Sequence, residues 1–538
     1  MSTLVMPAMA QAVLSGDVSA EVLVNLHLSR LSSVNPAINA VFQIAAETAL
    51  EQARGYDRLR STGARLPPLA GVPCTIKDSF DTAGMISTAG TEGRRGYVPG
   101  HDATVVERLR QAGAIVLGKS NTSELTLSFE TDNLVYGRTN NPYDLARTPG
   151  GSSGGAAAVV ASCGAAFDIG SDTAGSLRVP AHYCGLASLK PTVGRVPRTG
   201  HIISDDDRTQ IGPISRHVED LSLLASIIEG PDGVDPLARL PARTDTSVSV
   251  GRIAYFASNG FVEPDSMTAS ALAGVVDFLR LQGIIVEEAM PPAIATIRSL
   301  RRADREWIEQ LLREAGTKQV HHELHWIMEP PTPGRGLPHD VLLRATEQFR
   351  AAMGAFMSRY DALVCPVRPS AALPHGDSLK PEHKQGRWYT APFNLTGWPV
   401  VTVRIGTTAN GLPIGVQIAS RCWREDQAID LATKIERWSG GWVPPKLFLL
   451  ASNLANYRSR SILNDWMLVA ACGEGFCRLS GVMAASKCWI WTATTQHPKE
   501  PARPGASPGP AVPMWLLMPP PISRSCNKRC CVRAKGST

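Results

Sequence analysis

The chain has 538 residues, of which 43% are hydrophobic and 19% charged, a composition typical of globular proteins rather than disordered or fibrous ones. Its net charge of +6 would fit nucleic-acid binding, but residues 447–538 alone carry 11 Lys and Arg against 3 Asp and Glu. Residues 1–446 are therefore close to neutral, and the composition excludes a strongly basic, nucleic-acid-binding body.

Cysteine usage and the N-terminal sequence both point to a reducing compartment. Five cysteines are scattered through residues 1–446 without a CxxC pair, which does not resemble a disulfide framework. Arg30 is the first basic residue, so the charged start of a secretory signal is missing. No apolar run approaches the roughly 18 residues that a membrane span needs. We therefore expect a cytoplasmic protein without a membrane span.

The predicted elements begin with a helix capped by Ser19, followed by a short strand at 72–76 that ends at Lys77. A helix capped by Asp102 and a buried strand at 114–117 then complete a strand–helix–strand unit, the building block of a sheet covered by helices. Further predicted elements are a small apolar helix at 155–163, strands at 252–256, 284–286, 362–367 and 400–405, and helices at 266–282 and 340–358.

Two regions break this alternation of helices and strands. Residues 290–387 are irregular and rich in proline and glycine, and in a hydrolase such a region would carry substrate-contacting loops. Residues 447–538 are rich in Pro, Ser, Trp and Cys and show no sustained period, which argues against a second packed domain. Their Cys-x3-Cys-Cys run matches no standard zinc spacing, so we predict no metal. We expect a catalytic domain at 1–446 and a non-homologous tail at 447–538.

Residues 113–120 read GAIVLGKS and fit the nucleotide-binding pattern GxxxxGK[ST] letter for letter. A phosphate-binding loop needs a strand before its first glycine and a helix after its last residue. Here the residues between the glycines are β-prone and Gly113 follows a predicted helix. The sequence therefore disfavours phosphate binding.

Residues 150–154 read GGSSG and satisfy the nucleophile-elbow pattern GxSxG, which would make Ser152 the nucleophile of an α/β-hydrolase. An elbow requires a strand immediately before it. The preceding residues 140–149 are instead rich in Asn, Pro and Asp, which favour turns. None of the 12 histidines stands out as a partner for this serine. The elbow stays open as a less favoured alternative.

Two glycine-rich segments containing serine lie downstream of a lone lysine. The segments are GGSSGG at 150–155 and GSDTAGSLRVPA at 170–181, and the lysine ends the run GVPCTIK at 71–77. Together they resemble the amidase signature family of serine hydrolases, and the resemblance extends over about residues 8–446. It implies an α/β fold with a mixed, largely parallel central sheet flanked by helices. It also implies an amidase that works through a seryl acyl-enzyme and needs neither a metal nor an organic cofactor.

By this resemblance, Ser176 is the nucleophile, Ser152 bridges to it, and Lys77 is the terminal base. A serine hydroxyl is a weak nucleophile unless its proton is removed as it attacks. A lysine can accept that proton only when it is neutral, so burial or a nearby cation must lower its pKa. The bridging hydroxyl then relays the proton and can return it to the departing amine.

The backbone N–H groups of Thr173, Ala174, Gly175 and Ser176 are expected to form an oxyanion hole and to contact substrate. The family usually has glycine where this chain has Ala174, and we expect this change to affect efficiency and substrate size more than mechanism. Four further residues are expected to support the turn and the relay through hydrogen bonds and charge: Ser153, Ser171, Asp172 and Arg178.

The favoured function is hydrolysis of a small-molecule amide to a carboxylate and ammonia or an amine, by a stand-alone enzyme or a homo-oligomer. One alternative is the glutamine-hydrolysing subunit of a tRNA-dependent amidotransferase. That subunit typically carries Gln after the arginine matched by Arg178, where this chain has Val179 and Pro180. A second alternative is an inactive binding protein of the same fold.

Overall fold

A computed structural model describes residues 3–204, 206–240, 250–300, 305–328 and 338–446. The tail predicted at 447–538 lies outside the described residues, so the division into domain and tail stays a prediction. Within the described ranges, 11 strands form one sheet. They are β1 Val41–Ile44, β2 Pro73–Lys77, β3 Ile115–Ser120, β4 Phe167–Asp172, β5 Ala187–Lys190, β6 Gln210–Ser215, β7 Arg252–Tyr255, β8 Ile285–Glu288, β9 Ala362–Pro366, β10 Val400–Thr407 and β11 Pro413–Ser420.

The strands lie in the order β1-β3-β2-β4-β6-β5-β10-β11-β9-β7-β8. Strand β2 runs parallel to β3 and β4, and β7 runs parallel to β8 and β9. The other neighbouring pairs of the described sheet are antiparallel. The sheet is thus mixed and flanked by helices, which confirms the expected α/β class. With four parallel and six antiparallel pairs among the described strands, it is not largely parallel as expected, because the β10–β11 hairpin and its neighbours pair antiparallel. The β10–β11 hairpin joins the two regions that contain the parallel pairs.

The α-helices of the described residues are α1 Met6–Ser15, α2 Ala20–Ile38, α3 Ala46–Ser61, α4 Thr104–Gln111, α5 Gly154–Ala161, α6 Arg178–Tyr183, α7 Glu219–Ile228, α8 Ser266–Leu281, α9 Arg305–Ala315, α10 His325–Met328, α11 His339–Met357, α12 Pro381–Lys384, α13 Ala391–Leu395 and α14 Glu425–Ser439. Short 3₁₀ helices lie at Glu92–Arg94, Glu124–Thr126, Pro292–Ser299, His322–Leu324, Asp377–Leu379 and Gln385–Tyr389. None of the helices in these ranges is long and apolar enough to cross a membrane.

Every helix and strand predicted from the sequence is present, with ends shifted by a few residues. The Ser19 cap is confirmed, because its hydroxyl accepts a hydrogen bond from Val22 N at 3.1 Å. The Asp102 cap is wrong. Helix α4 begins after Ala103, and the Asp102 carboxylate instead accepts a hydrogen bond from Ala83 N at 2.7 Å.

The nucleotide-binding pattern at 113–120 folds as predicted, with its last six residues in strand β3 rather than in a phosphate loop. Every residue of β3 is buried, and β3 pairs in parallel with β2 across the α4 crossover. Lys119 is fully buried and donates hydrogen bonds to Thr82 Oγ1 at 2.9 Å and Ser87 Oγ at 3.0 Å. Its ammonium group is therefore used inside the protein, which excludes a phosphate cradle here.

Helix α5 is built from small residues and is buried along its whole length. A Cβ added at Gly155 would lie 2.4 Å from Asn121 N, and one added at Gly154 would lie 2.3 Å from Thr131 Oγ1. Only glycine permits such close approach of the helix start to its neighbours. This packing fixes the residues immediately before α5, Ser152 and Ser153, beside the end of strand β2.

Candidate active site

Strand β2 carries Lys77 into the interior of the protein. All five residues of the strand are buried, and the Lys77 side chain is 0% exposed. Its Nζ atom lies 2.7 Å from Ser152 Oγ and 3.0 Å from Ser171 Oγ. The lysine thus joins three segments that are far apart in the sequence, namely the end of β2, the loop before α5 and the end of β4.

Burial lowers the pKa of Lys77 to about 7, while the charges of Asp168 and Asp172 act in the opposite direction. Among the described residues, Lys77 forms no ion pair within 4.0 Å that would hold its proton. Asp168 is itself buried, accepts a hydrogen bond from Thr75 Oγ1 at 2.6 Å, and has its pKa raised to about 7 by burial. A large share of Lys77 is therefore neutral near pH 7, as a general base must be.

Ser152 lies in a loop that leads into α5, and its peptide bond with Gly151 is cis. Thr131 Oγ1 lies 2.9 Å from Gly150 O and 3.4 Å from Ser152 O, which ties this loop to the chain at 130–132. Turns and bends precede Ser152 where an elbow would need a strand. The structure therefore does not favour the α/β-hydrolase interpretation of GGSSG.

Ser176 lies in the turn between β4 and α6 and is 6% exposed. The two glycine-rich segments meet here, because Ser153 N donates a hydrogen bond to Ser176 O at 3.3 Å. Ser153 Oγ also donates to Ser171 O at 3.3 Å. Within the described part of the chain, Ser176 Oγ and Ser152 Oγ are not hydrogen-bonded to each other. The last link of the predicted relay therefore stays a prediction.

The peptide between Ala174 and Gly175 is held at both of its polar groups. Thr390 Oγ1 donates a hydrogen bond to Ala174 O at 2.5 Å, and Gly175 N donates to Asp172 Oδ1 at 2.7 Å. Gly175 has φ +132°, and a Cβ there would lie 2.7 Å from Thr390 Oγ1, so glycine is required at this position. Ala174 does not adopt a positive φ, so its methyl group introduces no backbone strain.

Three of the four predicted oxyanion donors are not used by the protein itself. The N–H groups of Thr173, Ala174 and Ser176 donate no hydrogen bond within the residues that the structure describes. The fourth, Gly175 N–H, is occupied by Asp172. An oxyanion hole at this turn would therefore draw on the first three groups rather than on all four.

Asp172 and Arg178 flank the turn at 173–176 that carries the predicted nucleophile, called the nucleophile turn below. They form a buried ion pair, and both side chains are 0% exposed. Arg178 donates to Asp172 through Nε and Nη2, each at 2.9 Å, and to Asn394 Oδ1 at 2.6 Å and Gln417 Oε1 at 3.0 Å. Burial alone would raise the pKa of Asp172, but the Arg178 charge and the hydrogen bonds hold that pKa well below its usual range. The pair stays ionised and fixes the turn.

Known proteins are similar to most of the chain. Residues 22–429 match the family profile described as Amidase. The chain belongs to the amidase signature family. The glutamyl-tRNA(Gln) amidotransferase A subunit of Symbiobacterium thermophilum is 34% identical over 463 residues, which cover 78% of this chain and 93% of that relative.

Two solved structures show the same fold. The structure of 6-aminohexanoate cyclic dimer hydrolase complexed with substrate is 27% identical, with a TM-score of 0.74 over 83% of this chain and 99% of that one. The glutamyl-tRNA(Gln) amidotransferase A subunit from Thermotoga maritima is 25% identical, with a TM-score of 0.68 over 83% of this chain and 98% of that one. The chain is therefore similar both to 6-aminohexanoate cyclic dimer hydrolase and to an amidotransferase A subunit.

Three residues that were not predicted from the sequence support the nucleophile turn and its ion pair from the far side. Thr390 contacts Ala174 from the turn before α13. Asn394 in α13 and Gln417 in β11 accept hydrogen bonds from Arg178, which is paired with Asp172 at the base of the turn. Asn394 and Gln417 are amides inside otherwise apolar runs, a pattern that could have marked them as buried hydrogen-bonding residues. Thr390 carries no such signal, because only the folded sheet brings it to Ala174.

His182 has a structural role. Its Nε2 lies 3.0 Å from Ser370 O, its Nδ1 accepts a hydrogen bond from Gly415 N at 2.7 Å, and burial lowers its pKa to about 4. Both ring nitrogens are therefore occupied. Across the described ranges, no group of three or more His, Cys, Asp or Glu side chains is placed to hold a metal ion.

Proposed function

We propose that this protein cleaves a carboxamide through a Ser176 acyl-enzyme, with Ser152 as proton relay and Lys77 as base. The observation that supports it most is the 2.7 Å contact between Lys77 Nζ and Ser152 Oγ in a site where burial lowers the lysine pKa to about 7. A neutral amine at that distance can accept a proton from Ser152, and Ser152 can then take one from the nucleophile. Such base catalysis is commonly worth about 10²–10⁴-fold in rate.

In the proposed acylation, Ser176 Oγ bonds to the carbonyl carbon while its proton passes to Ser152 and the Ser152 proton passes to Lys77. The oxyanion accepts hydrogen bonds from the N–H groups of the 173–176 turn. When the carbon–nitrogen bond breaks, the relay returns a proton to the leaving nitrogen, which departs as ammonia or an amine. Water then attacks the ester, and the same relay takes up the water proton and restores Ser176.

For the substrate, we take the side-chain amide of glutamine first, with the chain acting as the ammonia-producing component of an amidotransferase. The curated relatives support this alternative better than the stand-alone hydrolase that the sequence alone favours, since one such relative matches over 93% of its length. The partners of the chain would then be the components that use the ammonia.

A stand-alone hydrolase of small amides is the second candidate, and a specific residue supports it. By the family resemblance, Val179 stands where the amidotransferase subunit typically carries Gln, and it is fully buried in an apolar cluster with Tyr183 and Val367. The chain therefore lacks the side-chain amide typical of that subunit at this position. The fold is also that of a solved hydrolase of a cyclic amide.

Ammonia release separates these candidates. The purified chain would be assayed with glutamine and with a panel of simple carboxamides, alone and after co-purification with the other amidotransferase components, with Ser176→Ala as the inactive control. Glutamine turnover that rises when those partners are present supports the amidotransferase role. Turnover of simple amides by the chain alone supports the hydrolase. No turnover of any amide by a folded chain would overturn the proposal in favour of an inactive binding protein.

A further inference from the structure

The loop at 123–132 forms one wall beside the proposed relay. A Cβ added at Gly151 would lie 2.4 Å from Glu130 O, so this loop contacts the segment that carries Ser152 directly. Thr131 holds the same segment through Gly150 O at 2.9 Å. The loop is therefore in direct contact with the segment that leads into Ser152.

Helix α9 and the residues after it cover this loop. Leu125 packs against Ile308, Leu312 and Leu324 in one apolar cluster. Glu124 Oε2 accepts a hydrogen bond from His321 N at 2.7 Å, so the cover is also fixed by a buried polar contact.

A second contact fixes the start of the covering segment. Thr317 Oγ1 lies 2.6 Å from Thr91 Oγ1, and Thr91 Oγ1 donates to Glu124 Oε1 at 2.8 Å. The segment 317–324 is thus attached near both of its ends. This attachment places Glu323 against Ser128, the hydroxyl with which it interacts.

Glu323 differs from the other carboxylates around this loop. It is 3% exposed, and its Oε2 atom is buried without a hydrogen-bond partner among the described residues. Glu130, by contrast, accepts hydrogen bonds from Gly376 N, Ser378 N and Ser378 Oγ. Buried polar atoms are almost always paired, so an unpaired carboxylate oxygen in this position points to a missing partner.

The charges around Glu323 indicate what that partner is. Burial raises the pKa of Glu323 to about 8, with Glu130 and Asp132 raising it further, while Ser128 and Arg138 act in the opposite direction. Negative neighbours and an unpaired oxygen make the site complementary to a positively charged hydrogen-bond donor. Such a donor would restore the ionised carboxylate and satisfy its free oxygen.

We propose that Glu323, with Ser128, forms a subsite that binds a protonated amino group of the substrate. The inference rests on the proposed amide hydrolysis, and it names the substrate class as carboxamides that carry an ammonium group. Glutamine belongs to this class, and so do ω-amino amides. The subsite selects substrates that carry a positive charge, while cleavage of the amide bond takes place at Ser176 in the nucleophile turn for every amide.

The test compares ω-amino amides with about four to eight carbons against unsubstituted amides of equal chain length, as kcat/KM ratios. The wild-type protein is expected to prefer the amino amide of one length by about 10- to 100-fold, the worth of a hydrogen bond to a charged group. Glu323→Gln should abolish this preference. Glu314→Gln, an exposed carboxylate on α9 that pairs with Gln310, is the matched control and should keep it.

Binding to the Ser176→Ala protein separates failure of the subsite from failure of the proposed function. Calorimetric titration with the same amino amides should show affinity that falls about 10- to 100-fold when Glu323→Gln is added. If no amide is hydrolysed, this titration alone decides the subsite. A ratio or an affinity that Glu323→Gln leaves unchanged, in a protein whose thermal unfolding is normal, would overturn the inference.

Discussion

Two buried polar clusters meet at the nucleophile turn, and they differ in whether their charged side chains form ion pairs. The base cluster consists of Lys77, Ser152 and Ser171, and the anchor cluster consists of Asp172, Arg178, Asn394 and Gln417. The lysine of the base cluster has hydroxyl partners and no ion pair within 4.0 Å among the described residues, so burial lowers its pKa. In the anchor cluster every charge is paired, so the ions persist. The first arrangement suits proton transfer and the second suits positioning.

Replacing the base should have the largest effect on turnover. Lys77→Met is expected to lower kcat/KM by about 10²–10⁴-fold, because the relay loses its proton acceptor. The thermal unfolding midpoint should not fall, since the substitution removes a buried ammonium without an ion pair. Lys119→Met is the matched control. It leaves Asp78 buried without its lysine 4.0 Å away, and should lower stability while turnover by the folded protein continues.

Breaking the anchor should have the largest effect on stability. Arg178→Met leaves Asp172 buried and unpaired, which is expected to lower the free energy of unfolding by about 3–5 kcal/mol in urea titrations. Arg252→Met is the control, because the ion pair of Arg252 with Glu287 is about half exposed. This substitution should change the free energy of unfolding by about 1 kcal/mol or less. Equal effects of the two substitutions would contradict the role given to the anchor cluster.

Thr390 lies on the side of the anchor cluster and donates a hydrogen bond to Ala174 in the nucleophile turn. Replacing it should therefore affect catalysis rather than stability. Thr390→Val removes the hydrogen bond to Ala174 O and is expected to lower kcat about tenfold with little change in KM. Thr390→Ser keeps the hydroxyl and should retain most of the activity. A rise in KM at constant kcat would show that Thr390 contacts substrate instead of positioning the turn.

The pH dependence distinguishes the clusters through the protonation of Lys77. Turnover should rise as pH passes about 7, where the buried lysine loses its proton. Asp168→Asn should move this midpoint to lower pH, because Asp168 favours the charged lysine. An unshifted midpoint in the pH–rate profile would show that Asp168 does not act on the base.

Lys77 should also make the free energy of unfolding depend on pH. Between pH 7 and 10.5 the unfolded chain binds a proton at Lys77 that the folded chain lacks, so this residue makes the free energy of unfolding rise with pH in that range.

Truncation after residue 446 should have the smallest effect. Both clusters lie between Lys77 and Gln417, so kcat/KM for the substrate found above should be unchanged. A truncated protein that folds but is inactive would show that the tail contributes to the site and that the non-homologous interpretation is wrong.

The sequence predicted the base cluster and the ion pair of the anchor cluster, Asp172 and Arg178, but neither the amides of the anchor cluster nor Thr390. Lys77 follows an apolar run and the two serines lie in glycine-rich segments, so local patterns and a family resemblance suffice to mark them. Thr390 lies 216 residues from Ala174, and only the pairing of β5 with β10 and of β10 with β11 brings that part of the chain back to the turn. Strand partners across such distances leave no local pattern.

Three local features were predicted wrongly or missed, and each has a physical reason in the structure. Aspartate is a residue type that often caps helices, but the Asp102 carboxylate instead accepts a hydrogen bond from Ala83 N. Helix α9 lies within 290–387, where abundant proline and glycine hid an amphipathic segment with Ile308 and Leu312 on its buried side. The sequence predicts Gly175 N–H as an oxyanion donor, because sequence position alone cannot show that this group donates its hydrogen bond to Asp172.

Labelling with a fluorophosphonate serine probe, with the adduct located by mass spectrometry, tests the central claim most directly. The wild-type protein, Ser176→Ala and Ser152→Ala would be compared at equal concentration. The account predicts an adduct on Ser176 in the wild type, none in Ser176→Ala, and slow labelling of Ser176 in Ser152→Ala because the relay is broken. An adduct on Ser152 in the wild type would contradict the account and restore the nucleophile-elbow interpretation.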